Sequence, residues 1–83
     1  MYEYQISIDG FEYAAYLEKE GEGRYCFRAT KMQNSQELGR IGLVLGGGGK
    51  WIGEPLYGRS EVFVAKSKKA CCEALLQRYL SME

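Results

Sequence analysis

The sequence predicts an α+β domain: an antiparallel sheet of about five strands, a meander of hairpins, packed against one carboxy-terminal helix. Three observations predict it. Apolar residues alternate singly along the start of the chain, Asp9-Gly10 interrupts them with turn chemistry, and the spacing turns helical after Ser67.

The first hairpin carries the strongest local signal. Tyr2, Tyr4, Ile6 and Ile8 alternate with Glu3, Gln5 and Ser7, the period of a half-buried strand. Asp-Gly supplies two residues that tolerate positive φ, as a two-residue hairpin turn requires. That turn sets a register of Ile8 opposite Phe11, Ile6 opposite Tyr13, Tyr4 opposite Ala15 and Tyr2 opposite Leu17. Every pair is apolar, so turn chemistry and hydrophobic pattern agree.

Glu20-Gly21-Glu22-Gly23 makes the next turn, into a strand around Tyr25 to Thr30. There Tyr25, Phe27 and Ala29 continue the apolar face, with Cys26, Arg28 and Thr30 on the other. The polar stretch 33–39 reads as a connecting loop. Ile41 to Leu45 reads as a fourth strand, Gly46 to Gly49 as a flexible hairpin tip, and Lys50-Trp51-Ile52 as the return. Pro55 has no N–H to donate, which places Glu54 to Ser60 at an edge or in a loop. Glu61 to Ala65 is a last short strand. Ser67 is the expected N-cap of a helix from Lys68 to Leu80, whose stripe is Cys71, Cys72, Leu75, Leu76, Tyr79 and Met82.

Eighty-three residues make one domain, 1–83, with no internal linker. A chain of this size buries only ~60–65% of the surface it exposes when unfolded, so its core is thin. Seven tyrosines, three phenylalanines and one tryptophan supply much of that burial. Three cysteines, an odd number with two adjacent, make a poor disulfide framework, and nothing at the amino terminus reads as a signal peptide. No run approaches the ~20 apolar residues of a membrane span. These points predict a reducing cytoplasm and no membrane.

Catalytic and metal chemistry find no constellation. The chain has no histidine to serve as ligand or base, and Cys26 stands far from Cys71-Cys72. Gly46 to Gly49 followed by Lys50 lacks the features of a mononucleotide loop, since Val44 and Trp51 stand where Gly and Ser or Thr belong. Glu3, Glu12 and Glu18 fall on the solvent side of the first hairpin, the ordinary place for strand carboxylates. Neither enzyme activity, cofactor nor metal is expected.

Charge is uneven although its sum is zero. Residues 1–39 hold four basic and seven acidic side chains, and residues 40–83 hold seven basic and four acidic ones. The expected function is a small non-enzymatic protein-interaction or regulatory module with a protein partner, using an exposed sheet face or edge, and a homodimer fits the same logic. The alternative is a nucleic-acid-binding module built on the basic half around Gly46 to Gly49. Its candidate residues are Arg40, Lys50, Trp51, Arg59, Lys66, Lys68 and Lys69, in which cations flank a ring that could stack a base. A neutral domain does not favour that partner. The order Gly42-Leu43-Val44, Gly49-Lys50-Trp51, Phe63 and a helix with Ala70, Ala74 and Leu75 resembles DNA-binding domains of the integrase-arm type, three strands and a helix. The resemblance covers about the last half of the chain, and Pro55 and three preceding strands depart from it.

Overall fold

Asp9 and Gly10 take positive φ, 51° and 82°, and fold the chain back at the predicted turn. The computed structural model, which describes residues 4–31, 34–56 and 61–81, pairs β1 (Tyr4–Ile8) with β2 (Phe11–Gly21) as Ile8–Phe11, Ile6–Tyr13 and Tyr4–Ala15. These are the expected partners. Tyr2 lies outside the described residues.

From there the chain runs as a meander through β3 (Arg24–Lys31), β4 (Asn34–Leu43), β5 (Trp51–Pro55) and β6 (Phe63–Ala65), then enters α1 (Lys68–Ser81). The sheet has six strands in sequence order, one more than expected, with every neighbour antiparallel, and it curls into a half-barrel. Two irregularities in the ladder assist the curl. β2 carries an extra residue at Glu20, between the Lys19–Tyr25 and Gly21–Arg24 pairs. β4 carries one at Leu38, between the pairs Phe27–Gly39 and Arg28–Glu37. Such bulges bend a strand and strengthen its twist.

β4 corrects the expected loop at 33–39. Residues 34–39 are polar, but they pair with residues 27–31 of β3 and form the first half of a ten-residue strand. Ladder pairing satisfies their backbone, and the one apolar member, Leu38, is only 2% exposed. Gln33, the first residue of the expected loop, lies outside the described residues. The second hairpin forms as expected, with β5 opposite 39–43 and the glycine run at its tip. There the Val44 N–H donates to the Lys50 carbonyl at 2.9 Å and the Gly47 N–H to the Val44 carbonyl at 3.1 Å. Pro55 is the last residue of β5, where a missing N–H costs least. β6 is shorter than expected, beginning at Phe63.

One face of the sheet is apolar, and α1 covers it. The core joins Ile6, Tyr13, Ala15, Phe27, Ala29, Leu38 and Ile41 of the sheet to Cys71, Cys72, Leu75 and Leu76 of the helix. Each large side chain buried there contributes about 1.5–3 kcal/mol. Tyr79 packs at the margin, while Met82 lies outside the described residues. Ser67 caps the helix: its Oγ accepts from the Ala70 N–H at 3.1 Å and its carbonyl from the Cys71 N–H at 3.0 Å. No helix among the described residues is long and apolar enough to cross a membrane.

Gly53 shows how closely the layers meet. It is buried on the inner face against the edge of the Phe63 ring, and the Arg78 guanidinium lies 4.3 Å from the centroid of that ring. A methyl group at Gly53 would collide with the ring edge, so the ring would have to move within its packing against the core and its contact with Arg78. Gly53→Ala should therefore lower unfolding stability by about 1–3 kcal/mol, read from the urea midpoint.

Candidate protein-binding face

Alternation along each strand sorts the side chains into an inner face beneath α1 and an outer face that α1 does not cover. On the outer side, ladder partners run Arg24–Gly42–Ile52–Val64 across β3 to β6. The next outer row is Glu18–Cys26–Arg40–Glu54. Gly42 has no side chain, so a shallow groove of about 220 Å³ opens over it, walled by Arg24, Arg40, Ile52 and Glu54. Ile52 is 39% and Val64 60% exposed, and Val62 just ahead of β6 is 62% exposed.

Around this apolar spot the outer face is charged, and several of its polar groups pair with one another. Arg40 Nε donates to Glu20 Oε1 at 2.9 Å, and that hydrogen bond, with the carboxylate's charge, pushes the guanidinium pKa higher still. Glu20 is the bulged residue of β2. Gln5 Nε2 donates to Glu12 Oε2 at 2.6 Å on the first hairpin. Cys26 Sγ donates to Glu37 Oε1 at 2.9 Å.

The seven basic and aromatic residues read from the sequence do not form one patch. Arg40 is on the outer face, whereas Trp51 pairs with Leu43 and Ala65 on the inner one. Trp51 packs against the core, tilted 41° to Tyr25 at 5.9 Å between centroids. Lys68 Nζ sits 4.4 Å from the Tyr25 ring centre and 5.8 Å from that of Trp51. A cation in the first helical turn is ordinarily unfavourable, and the two rings offset this. Trp51 is thus a core anchor held between Tyr25 and Lys68. Lys50, Lys66 and Lys69 are exposed, and Arg59 lies outside the described residues. The sequence reading missed the Ile52–Val64 pair, whose signal was present: two β-branched residues on the polar side of the alternation.

All three cysteines are free and buried. Cys26 is on the outer side and the helix cysteines are beneath the inner side, so the sheet separates them. Burial first, then the Glu37 hydrogen bond and charge, push the Cys26 thiol up to about 11, and burial alone does the same at Cys71. Two outcomes are expected. In the folded protein near neutral pH all three thiols should react slowly with a disulfide reagent, and rapidly once unfolded. The unfolded thiols ionise near 9.0 while the folded ones keep their protons, so the native state binds more protons above that pH. Stability should stay level below about pH 9 and fall progressively toward pH 11, measurable by denaturant titration at each pH.

No known protein family, curated protein or solved structure matches this chain.

Proposed function

We propose that this domain is a non-enzymatic protein-interaction module that receives its partner on the outer face at β5 and β6. The observation that carries the reading is the Ile52–Val64 ladder pair, apolar and exposed on the face that α1 leaves uncovered. Arg24, Arg40 and Glu54 surround it, giving the apolar centre and arginine-containing polar rim found at protein interfaces. The reading is also supported by Cys26 and Cys71, whose thiols burial keeps protonated near neutral pH, and which are therefore poor nucleophiles.

A photo-crosslinking residue placed at Ile52, with another at Ser7 on the outer face of the first hairpin as control, tests this in the native cell. The expected result is a defined protein adduct at position 52, lost on Val64→Arg and absent at position 7. Equal labelling at both positions would remove the reading.

The second reading is nucleic-acid binding. It is favoured by the exposure of Lys50, Lys66 and Lys69, none of which forms an ion pair among the described residues. If it holds, labelled single-stranded or duplex DNA should bind at low salt, weaken steeply as salt rises, and weaken about tenfold on Lys50→Glu. Absence of binding at low salt rejects it.

A further inference from the structure

We infer that the partner of this face docks by laying a tyrosine or tryptophan side chain over Gly42, between Arg24 and Ile52. The inference rests on the protein-interaction reading above and names the chemistry of the occupant.

At Gly42 the outer face has space that the fold does not use. A glycine inside a strand weakens it and often marks close approach by a ligand or another chain. Two other strand glycines have reasons within the domain. A Cβ at Gly39 would meet the Glu54 carbonyl, and one at Gly53 would meet the Phe63 ring. At Gly42 an added Cβ would make only an ordinary contact, 3.7 Å from the Gly23 carbonyl oxygen, and the backbone is not in the left-handed region. Gly42 pairs with Arg24 on one side and Ile52 on the other, clear of the bulge at Leu38. What this glycine leaves is the groove of about 220 Å³.

The walls of the groove select what enters it. Neighbouring strands stand about 4.8 Å apart, so Arg24 and Ile52, one strand to either side of Gly42, leave a gap one side chain wide. Arg24 is exposed and forms no ion pair or side-chain hydrogen bond among the described residues, whereas Arg40 is held by Glu20. A guanidinium stacks on aromatic faces and an isoleucine packs against them, so a ring between the two is contacted on both sides. Glu54, on the same rim and equally unpaired, accepts from a phenol O–H or an indole N–H. Its charge, with Ile52 and Val64 beside it, disfavours a phosphate backbone. The inner face already holds this arrangement complete. Gly53 pairs across the ladder with Phe63, and the Arg78 guanidinium lies 4.3 Å from the centroid of that ring. Aromatic rings are a recurrent cover for strand glycines. Gly42 and Arg24 offer the glycine and the guanidinium, no ring among the described residues lines the groove, and the partner supplies it.

Selection of peptides from a random display library on the full chain, with counter-selection on Gly42→Leu, tests this. The leucine should fill the groove and leave the fold intact, as circular dichroism and an undiminished urea midpoint would show. The selected peptides should carry Tyr or Trp. A synthetic one should bind Gly42→Leu at least about tenfold more weakly than the unaltered chain, and Arg24→Gln several-fold more weakly. Replacing the ring residue of the peptide by Leu should cost at least about tenfold as well, a comparison that needs no change in the domain. Peptides without a ring, equal binding to Gly42→Leu, or no enrichment would overturn the inference. A single-stranded oligonucleotide that binds, is lost on Gly42→Leu and is matched by no peptide would place a base in the groove and overturn it too. A Val64-dependent protein adduct at position 52, with selected peptides that lack a ring, would leave the docking face standing and exclude only the aromatic occupant.

Discussion

The shared core of Cys71, Cys72, Leu75 and Leu76 with Phe27 and Ile41 holds the two layers together, because α1 is the only layer among the described residues against which the sheet can bury its apolar face. A chain of this size has a thin core, so those few side chains carry a large share of its stability. The ends of the helix are secured differently. Ser67 caps the first turn, Lys68 lies over Tyr25 and Trp51, and Arg78 lies over Phe63. Both cations use their charge on ring faces while their stems cover apolar surface.

Close approach of helix and sheet depends on shape as much as on hydrophobicity. Ala15, Ala29 and Gly53 are small where the inner face is most buried, and bulges such as those at Glu20 and Leu38 increase a strand's bend and twist. Curvature of this kind has a consequence for the opposite side. Over β1 to β4 the outer face carries the hydrogen-bonded pairs Gln5–Glu12, Cys26–Glu37 and Arg40–Glu20, and among the described residues its exposed large apolar side chains are at β5 and β6. The face proposed to receive a partner is thus a local exception to the polarity around it, which is how an interface differs from an ordinary solvated sheet.

Much of the architecture was legible in the residues. Asp9-Gly10 and the alternation on either side determined the first register, and Ser67 with the Cys71, Cys72, Leu75, Leu76 spacing determined the helix and its buried face. In each case the signal is local, since turn, cap and periodicity involve residues only a few positions apart. The polar run 34–39 was misread for the complementary reason. Its strand character comes from ladder bonds to β3, and strand propensity reflects cross-strand neighbours more than the residue itself.

The candidate site was less legible still. Arg40, Lys50 and Trp51 stand close in sequence, but a strand turns successive side chains to opposite faces, which sends Arg40 to Glu20 and Trp51 to the core. The Ile52–Val64 pair came together only through the β5–β6 ladder, across residues twelve positions apart. By itself, then, the sequence determined the class of fold, the first hairpin and the helix, because their causes are short-range. Tertiary structure alone decided which apolar residues were left outside, because exposure follows from where the single helix lies and which strands it fails to cover.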